Sequence, residues 1–243
     1  MTQNPKIIVI ETGTMAEEFE SKHGDYPSMF ARLLGEQGLN LEVCRVVRGD
    51  DIPALESADG FLITGSRHGV YDNLPWMEPL KTFIQSCAQK HVPIIGICFG
   101  HQIMAEALGG KVVKSEKGWG LGPSTYTVTN KNLLTDAPDT LTINAIHQDQ
   151  VVKKPADAEV ICSSEFCEFA GLVYGGNAPY ALSLQPHPEF KSDFVSDLIS
   201  ARRGDAYPVD VADSALAKMD NPLDSHRCAK WFADFYKSTI TAV

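Results

Sequence analysis

The stretch Val92-Pro-Ile-Ile-Gly-Ile-Cys98-Phe-Gly-His-Gln-Ile-Met-Ala-Glu-Ala-Leu108-Gly-Gly110 constrains the chain most, because an apolar run breaks at a cysteine and resumes with helical periodicity. Gly96 and Gly100 flank Cys98 as Gly-x-Cys-x-Gly, the spacing of a strand-to-helix turn so tight that larger neighbours would collide. Such a turn lifts the central side chain out of a sheet and sets it beside a helix N-terminus. There, unpaired N–H groups and the positive end of the helix dipole favour a thiolate. Cys98 is therefore a candidate nucleophile. The same pattern suits a buried thiol closing a core strand, and the turn by itself leaves both open.

Upstream, Lys6 to Ile10, Leu41 to Val47 and Gly60 to Ser66 read as strands, with Ser28 to Gly38 and Glu78 to Lys90 as amphipathic helices between and after them. This alternation means βαβ units and an α/β fold with an open, mostly parallel, flavodoxin-like sheet flanked by helices. Ligand sites in such sheets lie beyond the carboxyl ends of the strands. Cys98 and the Gly65-Ser66 pair both fall there. From Lys111 the apolar segments shorten and alternate, at Lys111 to Lys114, Ser124 to Thr129, Leu141 to Ile146, Glu159 to Cys162 and Gly171 to Tyr174. These predict a smaller antiparallel region in the second half. Gly175-Gly-Asn177 reads as a hairpin turn into Tyr180 to Leu184. Ser192 to Arg202, Ala212 to Met219 and Leu223 to Thr239 read as helices. The expectation is a single domain over 1–243, with a helical extension over about 191–243.

A formal charge of −10 argues against nucleic acid or an anionic membrane as partner, and favours a small molecule or a protein. No apolar run approaches a membrane span, and the N-terminus lacks the pattern of a signal peptide. Six scattered cysteines read as thiols in a reducing, cytoplasmic compartment. Their spacing matches no structural zinc site, and no metal or cofactor is expected.

A nucleophilic thiol needs a base, and the base needs an orienter. Of seven histidines, His187 in Gln185-Pro-His187-Pro-Glu189-Phe190 stands where two prolines stop an apolar strand, and Glu189 can reach the same imidazole. If that strand joins the sheet in parallel, both residues arrive at the edge that carries Cys98. The alternative is a surface turn whose histidine caps the next helix. His101 reads as a packed or solvated helix residue and His68 as a loop residue near Asp72. His147, at a strand end, suits either a substrate contact or a structural turn. Acyl transfer also requires oxyanion donors. The N–H of Phe99 follows the nucleophile, and Gly65-Ser66 offers an unobstructed second backbone, although an ordinary tight turn with a serine cap fits equally.

Gly96-Ile-Cys98-Phe-Gly100-His-Gln102, followed by Gln185-Pro-His187-Pro-Glu189, resembles the signature of the triad (class I) glutamine amidotransferases, with similarity running from about Lys6 to Phe190. The resemblance implies that Cys98 attacks the side-chain amide of glutamine or a γ-glutamyl bond, with His187 as base and then acid, oriented by Glu189. It further implies that Gly65, Ser66 and Phe99 form the oxyanion hole, and that Gln102, His147, Gln148 and Asp149 face the glutamyl moiety. Many members carry Gly-Gly-Pro where this chain has Gly65-Ser66-Arg67. That form is similar to stand-alone members related to the glutaminase domain of GMP synthetase, including γ-glutamyl peptidases. The chain shows no phosphate-binding Gly-x-x-x-x-Gly-Lys-[Ser/Thr] loop and no length for a synthetase domain. A hydrolase of glutamine or a γ-glutamyl compound is expected. The alternatives are a subunit delivering ammonia to a separate synthetase and a non-catalytic binding or regulatory protein on the same fold.

Overall fold

The computed structural model describes residues 4–131 and 136–241; Met1–Gln3, where the expectation of no leader begins, lie outside them. The strand β1 (Lys6–Ile10) is apolar on both faces because both are covered. Ile7 and Val9 pack into one core with Phe30 and Leu34 of α2 (Tyr26–Leu34) and with α7 (Ser225–Thr241). Ile8 and Ile10 pack into a second core with α3 (Met77–Lys90) and α4 (Phe99–Ala107). Helix α2 begins where the Asp25 carboxylate accepts the Ser28 N–H at 2.9 Å, a cap that contributes about 1 kcal/mol. Helix α3 buries the stripe Leu80, Phe83, Ile84 and Cys87, and ends at His91 in the left-handed region.

The central sheet also contains β2 (Asn40–Cys44), β3 (Gly60–Ile63), β4 (Ile94–Ile97), β6 (Gly120–Val128), β7 (Thr140–His147), β9 (Ala158–Ser163), β10 (Gly171–Tyr174) and β11 (Ala181–Leu184). Its order is β2-β1-β3-β4-β11-β10-β9-β6-β7. From β2 to β11 the pairing is parallel, and beyond β11 it is antiparallel. The antiparallel strands expected in the second half therefore extend the same sheet. A separate two-stranded ribbon pairs β5 (Lys111–Lys114) with β8 (Asp149–Lys153). The register Ile94↔Ala181 to Ile97↔Leu184 sets the strand leading to His187 directly beside the strand leading to Cys98.

Helices α1 (Glu17–His23), α5 (Ser192–Arg202) and α6 (Val209–Leu216) build a third apolar cluster against Leu121 of β6. Beneath the sheet, Tyr236 of α7 is fully buried and donates its hydroxyl to the Phe61 carbonyl at 2.6 Å, so the C-terminal helix is tied to a central strand. Among the described residues, no helix is long and apolar enough to cross a membrane.

Candidate active site

Strand β4 ends at Ile97, and Cys98 turns the chain into α4 with φ 52° and ψ −101°. A positive φ at a cysteine stores strain of order 1–3 kcal/mol, a cost tolerated where surrounding structure fixes the turn. Its own N–H donates to the Leu184 carbonyl at 2.8 Å, and its carbonyl accepts the Gln102 N–H at 3.0 Å. Both flanking glycines are sterically required. A Cβ on Gly96 would lie 2.5 Å from Met104 Sδ and 2.6 Å from the Gly100 backbone, and one on Gly100 would run into the Ile63 carbonyl.

Just past β11, the His187 N–H donates to the Asn144 carbonyl at 2.8 Å, locking the Pro-His-Pro segment to β7. The imidazole Nδ1 lies 2.7 Å from Glu189 Oε1, with both side chains almost wholly buried. Its ring stacks on Phe190 at 3.9 Å and 4°. With Nδ1 engaged, Nε2 is the nitrogen left for the Cys98 thiol, a hydrogen-bonding neighbour of this ring. Burial pulls the imidazole toward its neutral form. The Glu189 carboxylate and Cys98 outweigh that pull and raise its pKa to about 10.

Gly65 sits between the two partners, its absent Cβ 2.7 Å from His187 Cε1 and 3.6 Å from Cys98 Cβ. Thr12 and Thr64 staple the ends of β1 and β3 together, with the Thr12 N–H on Thr64 Oγ1 at 3.0 Å. Ser66 Oγ accepts the His68 N–H at 3.2 Å, shaping the turn. Phe99 opens α4, so its N–H belongs to the first helical turn, which has no intrahelical acceptor.

The remaining residues singled out in the sequence divide between the site and its frame. Gln102 is buried and donates to the Asp149 carbonyl at 3.0 Å and to Gln185 Oε1 at 3.1 Å, holding two walls together. His147 is buried, with Nδ1 3.2 Å from the Asp149 carbonyl and its ring against Phe166. Burial chiefly lowers its pKa, to about 4, despite the Asp149 carbonyl. The Gln148 carbonyl accepts the Ser115 N–H, and Asp149 Oδ2 accepts the Tyr71 hydroxyl at 2.8 Å. His68 faces Asp72 at 3.4 Å, while His101 is buried with Nδ1 2.8 Å from Ser183 Oγ. Four buried polar atoms here, Asn144 Oδ1, His147 Nε2, Gln185 Nε2 and Glu189 Oε2, have hydrogen-bonding capacity unspent among the described residues.

Sequence reasoning did not find Tyr26, Asn144 or Phe190. Tyr26 of α2 stacks at 5.8 Å on Phe190, the aromatic ring under His187, and burial raises its phenol pKa. Asn144 donates to the Phe190 carbonyl at 3.0 Å. Asn144 carried no signal, because it stands at a polar position of the alternating strand Leu141 to Ile146, like Thr142. Tyr26 carried none, because its position depends on how α2 crosses the sheet edge.

A family model for class-I glutamine amidotransferases matches residues 23–196, most of the chain and all of the site just described except the loop ends nearest β1. The chain belongs to the class-I glutamine amidotransferase family. Within that family it is 30% identical to a glutamine amidotransferase-like protein of Schizosaccharomyces pombe, covering 90% of this chain and 93% of the relative. It is also 30% identical to γ-glutamyl peptidase 4 of Arabidopsis thaliana, covering 82% and 81%. GMP synthase of Dehalococcoides mccartyi is 29% identical over 68% of this chain but only 30% of that longer protein. A solved glutamine amidotransferase from Thermotoga maritima shares the fold over the full length of both chains, with a TM-score of 0.76 at 21% identity.

Proposed function

We propose that the chain is a cysteine hydrolase that cleaves the side-chain amide of glutamine or a γ-glutamyl amide through a glutamyl thioester on Cys98. The carrying observation is the convergence of a thiol on a strained strand-to-helix turn with a buried imidazole whose far nitrogen is held by Glu189 at 2.7 Å. In this reading His187 Nε2 already holds the proton given up by the Cys98 thiol, consistent with its raised pKa of about 10, Glu189 stabilises the imidazolium, and Sγ attacks the γ-carbonyl. The N–H groups of Phe99 and of the Gly65-Ser66 turn receive the developing oxyanion. His187 then protonates the departing nitrogen, and water cleaves the thioester to release glutamate. Gln102 and the His147, Gln148 and Asp149 segment line the glutamyl group, with Gln102 also acting as a brace.

The single domain and cytoplasmic placement expected from the sequence belong to this proposal. They are supported by the docking of α7 beneath β3 and by six unpaired thiols. Mass spectrometry after incubation with a glutamine-like electrophile tests the chemistry: the wild type gains the label on Cys98 and Cys98→Ser does not. Failure to release ammonia or glutamate from any member of a γ-glutamyl panel would overturn the hydrolase reading.

The likeness to GMP synthase favours a second reading, in which a separate synthetase receives the ammonia. Co-purification of such a protein, together with a rise in glutaminase rate on its addition, would support that reading. High activity of the isolated chain would weaken it.

A further inference from the structure

A cavity of about 220 Å³ lies between β6, the turn containing Phe166, and α6 with its following turn. Trp119, Leu121, Phe166 and Val211 give it apolar walls, Ser214 a hydroxyl and Lys218 a cation. Lys218 is exposed, and no lysine ion pair among the described residues uses it. An uncompensated ammonium on the wall of a cavity, in a chain of net charge −10, marks a place for a carboxylate.

Three observations join this cavity to the reacting centre. Leu121 pairs with Ile146 across the β6–β7 ladder, and the Ile146 carbonyl lies 4.0 Å from Cys98 Sγ. Trp119 packs edge-on at 4.8 Å against Tyr207, a member of the cluster around Phe190. Phe190, the platform under the His187 ring, shares one packed cluster with Leu121, Tyr207 and Ala215 of α6. These contacts run from the cavity walls to the strand end that borders Cys98 and to the aromatic platform under His187. Ammonia, similar in size to a water with its share of about 30 Å³, leaves most of the space unfilled.

We propose that the cavity is the leaving-group subsite. It receives the amino-acid portion of a γ-glutamyl peptide, with an apolar or aromatic side chain against Trp119 and Phe166 and a free carboxylate paired to Lys218. The inference rests on the hydrolase reading above and narrows its substrate class. As the Cys98 C–S bond forms, the γ-amide C–N bond breaks. The thiol proton passes through His187 to the departing nitrogen, and the free amino acid leaves. Water then converts the thioester to glutamate and restores the thiol.

The test compares kcat/KM for γ-glutamyl-phenylalanine, its C-terminal amide and γ-glutamyl-glycine. The wild type favours the acid over the amide by about five-fold, the upper range for an exposed ion pair. Lys218→Glu brings that ratio to one or below, and Ser214→Phe lowers the phenylalanine-to-glycine ratio several-fold, with thermal melting confirming that both variants fold. An acid-to-amide ratio of one in the wild type, or a ratio that Lys218→Glu leaves unmoved, overturns the subsite while the hydrolase reading stands. Labelling of Cys98 without turnover of these peptides also overturns the subsite alone. Neither labelling nor turnover removes both.

Discussion

Gly65→Ala tests how closely the site is built, because it adds one methyl group at its tightest point. The new Cβ would sit 2.7 Å from His187 Cε1, whereas carbon–carbon contacts are comfortable at about 3.5–4.0 Å, so about 1 Å of movement is required. The imidazole has little freedom to supply it: Phe190 stacks on it at 3.9 Å, Glu189 holds Nδ1 at 2.7 Å, and its backbone N–H is fixed to Asn144. A misplacement of 1 Å at a reacting centre costs about 100-fold, or about 2.7 kcal/mol of barrier. Overpacking of this size costs about 1–3 kcal/mol of stability, and each kcal/mol shifts Tm by about 2–4 °C in a chain of this length. We therefore expect kcat/KM on a γ-glutamyl amide to fall about 100-fold while the variant remains folded at 25 °C, as measured by steady-state kinetics and thermal melting. Wild-type kcat/KM together with an unshifted Tm would refute the placement of His187 against this backbone.

Three further outcomes follow from the same geometry. Cys98→Gly relieves the positive φ at the turn and should melt a few degrees above Cys98→Ala, by about 1 kcal/mol, with both inactive; equal melting temperatures would remove the strain argument. Glu189→Gln removes the carboxylate that holds the His187 proton, so NMR titration of the imidazole should show it deprotonating well below the wild-type value of about 10, and turnover should fall by orders of magnitude. In the wild type the stabilisation from that raised pKa is complete below the ordinary histidine value of 6.5 and is lost as pH rises through about 10. His101 and His147 have the opposite sign: burial lowers their pKa values to about 3 and about 4, so the unfolded chain binds more protons below pH 6.5 and stability drops as pH falls toward 4. Urea midpoints at pH 7 and pH 5 should differ accordingly, and His147→Gln should reduce the difference.

Much of this architecture was legible because each central strand and helix announces itself locally. Strand β1 is an unbroken apolar run, α5 spans the expected Ser192 to Arg202, and α3 carries its stripe at helical spacing. Helix α1 escaped notice because seven residues, four of them charged and a fifth histidine, bury only Phe19. Strand β8 escaped because it belongs to a two-stranded ribbon and is half exposed. Within the candidate site, Cys98, His187 and Glu189 were legible from glycine and proline punctuation. Their meeting depends on the parallel pairing of β4 with β11, a contact between distant segments that local pattern does not encode. The steric reason for Gly65 is likewise written only in three dimensions, since nothing near it in sequence reveals that an imidazole will fill the missing Cβ position.

The central place of β11 has a consequence for the order in which the chain acquires its chemistry. Since β11 lies between β4 and β10, the parallel and antiparallel halves cannot join until it is synthesised, and α7, which supports β3 from below, emerges later still. Cys98 leaves the ribosome well before His187, and at about 5–20 residues per second that interval lasts seconds. During it the nascent protein carries the Cys98 thiol without the His187 imidazole or the Glu189 carboxylate. Insertion of one short strand then closes the sheet and sets His187 and Glu189 beside Cys98 in the same event, so the candidate site is assembled only with a nearly complete fold.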